Sequence, residues 1–308
     1  MKSWLFSLVM LVLGFIGAPL LPGIINKTKA FFAGRKGQPL LQTYRDLAKL
    51  LKKGAVYSST TTWIFRSAPL IGLVCSFAAM VLLPMAGGSG LLSFAGDLIL
   101  FSYLLGLMRF FTVAAALDTG SSFEGMGASR EVLFSALTEP AMILGLATLL
   151  RATGSLSLSG TYVKMTVESW RVAGPAFALV LFALLIVYLT ENSRIPIDDP
   201  DTHLELTMIH EVMVLDYSGP DLAFVFYSSS LKLWLTGSLV VNLLLSPLKT
   251  TPLLTVFAFL GGMALLAVIV GVLESAMARL SLLKVPQLLL GATTISLLAF
   301  TLVVRFLP

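Results

Sequence analysis

The chain has 308 residues, 57% hydrophobic and only 12% charged, and its mean hydropathy of +0.92 excludes an ordinary soluble domain. A net charge of +5 and a pI near 9.3 do not point to nucleic acid, because in a membrane chain excess Lys and Arg record orientation. The single cysteine, Cys75, excludes an internal disulfide and a Cys-ligated iron–sulfur or zinc site, so any metal centre belongs to a partner.

A spanning helix needs about 20 mainly apolar residues, and eight runs qualify: 3–25, 68–86, 97–117, 131–150, 172–190, 222–245, 252–274 and 285–306. The expected fold is therefore all-α, a polytopic membrane helix bundle forming one membrane domain over 1–308. The first run is too long for the apolar region of a signal peptide and no small-x-small cleavage site follows it, so it is read as a mature helix. The loop 26–67 then carries Lys27, Lys29, Arg35, Lys36, Arg45, Lys49, Lys52, Lys53 and Arg66 against Asp46 alone. That excess makes the loop cytoplasmic, and eight spans put both termini outside. The count over all loops agrees, with thirteen Lys and Arg inside against six outside. Within the loop, LLQTYRDLAKLLKK places Leu40, Leu41, Tyr44, Leu47, Leu50 and Leu51 at helical spacing, an amphipathic helix. The pattern alone suits an interface with anionic lipid as well as a docking surface.

Charges inside a bilayer are costly and therefore paired, buried or functional. Arg109 lies deep in the third run, Glu139 about eight residues inside the fourth, and Lys232 near the middle of the sixth. Pro140, directly after Glu139, frees carbonyls in the preceding turn, which suits a hydrated pocket. Arg109 and Lys232 are read as intramembrane charge partners, serving either as tie-points between helices or as relay groups. Glu274 closes the seventh run, where a solvated helix end is expected.

The stretch 191–221 holds half of all the acidic residues: Glu191, Asp198, Asp199, Asp201, Glu205, Glu211, Asp216 and Asp221. His203 and His210 are the only histidines. Pro196 and Pro200 prevent a continuous helix at its start. Apolar residues such as Ile195, Ile197, Leu204 and Ile209 alternate with the charges, so this cytoplasmic acidic loop is built to pack rather than to float in water. The histidines are seven residues apart, which is not a metal-ligand spacing, and no H-E-x-x-H, P-loop or GxGxxG motif is present. His203 in an acid cluster is read as a proton carrier.

Glu191, Arg194, Pro196, Asp198, Pro200, Asp201, Glu205 and Asp216-Tyr217-Ser218-Gly219 resemble the E-x-x-R-x-P-x-D-x-P-E-x-E-x-E-L…E-Y-S-G loop of complex I subunit 1. Two departures stand out: His203 occupies a position where the pattern has a carboxylate, and about three extra residues precede the Tyr-Ser-Gly. The stretch LDTGSSFEGMGASRE, 117–131, is more similar to the homologous membrane subunit of formate hydrogenlyases and other group 4 membrane-bound nickel–iron hydrogenases. GRKGQPLLQTYRDLAKLL resembles the family segment that borders the peripheral arm.

The resemblance implies a proton or charge relay through Glu139, Glu191, Asp198, Asp201, His203, Glu205 and Asp216. It implies docking of the peripheral module by Arg35, Lys36, Arg45, Asp46, Lys49, Lys52, Lys53, Arg130 and Arg194. Its implied partners are a hydrogenase-like large subunit and a small iron–sulfur subunit on the cytoplasmic face, with antiporter-like subunits alongside in the bilayer of a prokaryotic inner membrane. The nickel–iron centre and iron–sulfur clusters would reside in those partners, no cofactor being bound by this chain alone. Two alternatives stay open: a quinone-binding subunit of a complex I-like oxidoreductase, and a stand-alone ion transporter. A transporter is expected to show internal repeats with broken helices in corresponding halves, and the sequence has no convincing repeat.

Overall fold

The computed structural model describes residues 3–198, 209–248 and 251–306, and every regular element in them is helical. Helices α1 (Ser3–Gly17) and α2 (Leu20–Phe32) meet at a 44° bend. Pro19 stands at the break, where its ring nitrogen offers no donor to continue the ladder. The run expected as one span over 3–25 is thus a pair of helices bent at Pro19 that continues to Phe32. Helix α3 (Gln42–Leu51) is the expected amphipathic helix; it packs against α9 below, and its Tyr44 hydroxyl donates to the Ile16 carbonyl beside the bend.

Then follow α4 (Trp63–Leu82), α5 (Asp97–Asp118), α6 (Ser122–Thr153), the short α7 (Leu158–Lys164), α8 (Val167–Glu191), a 3-10 turn at Val212–Val214, α9 (Gly219–Leu245), α10 (Pro252–Ala276) and α11 (Val285–Phe306). Among the described residues, seven helices are long and apolar enough to cross a membrane, eight with the α1–α2 pair counted as one span. Helix α9 is buried along most of its length against α4, α8 and α10, while α6 packs on α8 and α11 and α2 packs on α10. Polar side chains stitch the ends. Asp97 accepts from the Leu158 amide at 2.8 Å and the Ser157 hydroxyl at 2.7 Å, while Asp118 accepts from the Thr62 amide at 2.6 Å and its hydroxyl at 2.9 Å.

Two expectations are corrected. Helix α6 starts at Ser122, nine residues before the expected 131, so most of the stretch read as a loop before Arg130 is helical. Counting apolar residues stops at Glu124, Arg130 and Glu131, yet Glu124 is buried and Glu131 turns to a cation, so the helix runs through them. Glu274 is not a solvated helix end: its side chain is 0% exposed, 3.1 Å from Lys29 Nζ and 3.3 Å from Arg194 Nη1.

Candidate functional site

Four helices bring five charges together inside the bundle. Helix α5 contributes Arg109, α6 contributes Glu131 and Glu139, α8 ends on Glu191, and α9 presents Lys232. The Arg109 guanidinium donates through Nη1 to Glu139 and through Nη2 to Glu191 at 2.5 Å, with Glu131 3.7 Å from Nε. Lys232 Nζ lies 3.9 Å from the other Glu191 oxygen. A planar guanidinium suits this task because its five donors are held in a fixed fork that meets carboxylates from different sides, whereas an ammonium is a compact point charge on a flexible stem. Desolvating so many charges is tolerable only because each faces an opposite one.

Three carboxylates against two cations leave one formal negative charge, which a single proton cancels. The cluster is also graded in depth. The Glu191 side chain is 3% exposed and Arg109 10%, whereas Glu139 is 40% exposed on the lateral surface of the bundle. Gly106, one turn before Arg109, puts no side chain over Glu139; a Cβ there would lie 3.8 Å from its Oε1.

At its loop end the cluster meets the acidic stretch. Asp198 closes that loop on itself, accepting from the amides of Ile209 at 3.2 Å and His210 at 3.3 Å while Arg279 pairs with its other oxygen at 3.0 Å. The Tyr217-Ser218-Gly219 motif joins the acidic loop to the basic one, residue by residue. Pro69 inside α4 has no N–H for the Phe65 carbonyl, and the Tyr217 hydroxyl donates to that carbonyl at 2.8 Å while its ring stacks on Phe65. The Ser218 hydroxyl accepts from the Val56 amide at 3.0 Å. Gly219, at φ +56°, lies so close to Gly54 that a Cβ would sit 2.6 Å from the Gly54 carbonyl oxygen. Burial, reinforced by Asp221 and Glu124, pushes the Tyr217 hydroxyl well above the usual tyrosine range, so it stays a donor.

A cavity of about 10 Å³ is bounded by Arg109, Glu131, Glu191, His210 and Lys232, and a neighbouring one of about 20 Å³ by Pro69, Gly72, His210, Tyr217 and Ser228. Burial first, and Lys232 second, push the His210 imidazole down to about 4, so it is neutral at physiological pH. A roomier cavity of about 470 Å³ lies at the opposite end of the bundle, among Phe6, Gly88, Tyr162, Asn242 and Thr255. Among the described residues its lining carries no charge.

Of the sequence-derived relay residues, Glu139 and Glu191 converge on Arg109 together with Lys232, Asp198 braces the loop, and Asp216 is exposed. Asp201, His203 and Glu205 lie outside the described residues. Arg35, Lys36, Arg45, Asp46, Lys49, Lys52 and Lys53 are exposed, as docking requires. Arg194 is the exception: it turns inward to Glu274, because a fully buried carboxylate there needs the charge. Arg130 is half-buried on α6. Sequence reasoning gave no role to Glu131 and left His210 undecided. The eight-residue spacing of Glu131 and Glu139 keeps both near one helical face, about 12 Å apart, which was the available signal.

A sequence profile of the NADH dehydrogenase family matches residues 5–305. The chain belongs to that family. Its relatives include formate hydrogenlyase subunit 4 of Escherichia coli (strain K12), 31% identical over 97% of this chain and 98% of the relative. Hydrogenase-4 component C of the same organism is 32% identical over 78% of this chain and 75% of its own length. The fold matches a chain of the membrane-bound sulfane sulfur reductase, an archaeal respiratory membrane complex, with a TM-score of 0.80 at 17% identity, covering 98% of this chain and 100% of the other. The complex I subunit 1 resemblance and the polytopic all-α fold read from the sequence are therefore borne out, and so is the nearness to the formate hydrogenlyase subunit. No group of His, Cys, Asp and Glu suited to a metal ion occurs among the described residues.

Proposed function

We propose that this chain is the membrane subunit of a complex I-like, group 4 hydrogenase-type complex, seating a peripheral electron-transfer module on its cytoplasmic face and coupling that module's redox reaction to ion translocation. The carrying observation is the Arg109 cluster, which is closed at Glu191, touches the cytoplasmic loop through the His210 cavity, and opens laterally at Glu139. The relatives among formate hydrogenlyase and hydrogenase-4 subunits support the hydrogenase branch. In that branch the partner subunits hold the nickel–iron centre and iron–sulfur clusters and carry out proton reduction or hydrogen oxidation.

The coupling is electrostatic. A unit charge change 4 Å away is worth about 4 kcal/mol at an effective dielectric constant of ~20, enough to move the single proton that neutralises the cluster. Glu191 registers the change at the loop side, Arg109 transmits it, and Glu139 passes it to a neighbouring subunit in the bilayer. The exposed cations of α3 and its flanks form the seat of the peripheral module. Charge reversal at Arg45, Lys49, Lys52 and Lys53 is expected to release the peripheral subunits in a pull-down while the membrane subunits still co-purify. A change in lipid association alone would refute the docking role.

A further inference from the structure

We propose that His210 is the switching residue through which protons pass between the cytoplasmic loop and the Arg109 cluster, along a file of waters that starts beneath Tyr217. The inference rests on the coupling function proposed above and assigns its point of entry. The two cavities described at the loop are adjacent because Met108, Thr112 and His210 line both. A third, of about 10 Å³, continues past Glu131 and Glu191 to Ser193. Each is water-sized and has polar groups in its wall, as an ordered water requires.

Of the three side chains shared at the junction, Met108 has no exchangeable proton and the Thr112 hydroxyl is committed to the Met108 carbonyl at 3.0 Å. Only His210 both takes and gives a proton in the accessible range. In the transfer, one ring nitrogen accepts the excess proton of a hydronium on the Tyr217 side, leaving water, and the other releases its proton through a water to the carboxylate of Glu131 or Glu191. The imidazole ends neutral in the opposite tautomer and resets by reorientation, so charge and protons balance.

The surroundings make this transfer conditional. Lys232 and Arg109 oppose an imidazolium, Glu131 and Glu191 favour it, Tyr217 is a neutral donor, and Asp198 holds the His210 amide. With the cluster at its resting charge the ring stays neutral. At rest one proton neutralises the cluster; when the redox event draws that proton out, the carboxylates are left with the net negative charge of one and the imidazolium becomes accessible. His210 then delivers on demand rather than leaking.

The test uses the purified complex in vesicles. His210→Ala is expected to lower ion translocation per electron by on the order of a hundredfold, the lower end for a lost acid–base group. Imidazole in the buffer should restore it, while pyrazole, a ring of the same shape and far weaker basicity, should not. Undiminished translocation, or equal restoration by both rings, overturns the proposal. Gly72→Ala supplies an independent arm should His210→Ala fail to assemble. Its added methyl enters the cavity beneath Tyr217 with its nearest neighbours, Met108 Cγ and Ser228 Oγ, at 3.7 and 3.9 Å, so it displaces the water without a clash. Translocation should fall; unchanged translocation overturns the proposal. Failure of the underlying coupling reading looks different, because Glu139→Gln would then also leave translocation unchanged.

Discussion

The Tyr217 hydroxyl hydrogen-bonds the acidic loop to α4, and Tyr217→Phe removes only that bond. The Phe ring keeps the stack on Phe65, whose centroid lies 4.1 Å away at an interplanar angle of 9°. What is lost is the donor to the Phe65 carbonyl, which Pro69 has already deprived of its helical partner. A buried carbonyl left without a partner costs about 1–3 kcal/mol. Hydrogen exchange at the amides of 209–218 reads this as local opening, so exchange should accelerate by about 5- to 150-fold. Pro69→Ala returns an N–H to that carbonyl, so the Tyr217→Phe effect should shrink in that background, with a coupling of at least about 0.5 kcal/mol in the double-mutant cycle. Equal acceleration in both backgrounds would refute the account of how the loop is held.

Two further expectations follow from the site and the topology. Because the His210 imidazole is held down at about 4 against 6.5 when free, between those values the unfolded chain binds a proton that the folded one does not; stability should therefore fall as pH drops from 6.5 towards 4. His210→Gln should flatten that part of the profile, and an unaltered slope in a thermal-shift titration would count against the burial of the ring. Tags at the N-terminus and after Pro308 should report the outer side and one near Gly54 the cytoplasm; a C-terminal tag found inside would remove the eight-span topology.

The spans were legible because twenty apolar residues in a row admit few other structures in a bilayer. Arg109, Glu139 and Lys232 stood out for the same reason, as expensive residues in apolar surroundings. Their convergence was not legible, since it depends on how α5, α6, α8 and α9 rotate against one another. Glu131 was missed because it falls where the fourth apolar run begins, and the start of α6 was missed with it. Glu274 misled for a related reason: at a helix end, solvation and burial read alike until Lys29 and Arg194 are found beside it. The Tyr-Ser-Gly motif was visible as a pattern, but its work of tying the acidic loop to the basic one appears only with Pro69 and Gly54 in place.

The central claim is that the Arg109 cluster relays a proton rather than merely bracing helices, and Glu139→Gln tests it most directly. Gln keeps the size and hydrogen-bonding capacity of the side chain but does not titrate. In vesicles containing the assembled complex, electron transfer should continue at a reduced rate while ion translocation per electron is largely lost. Undiminished ion movement per electron in that variant would contradict the account.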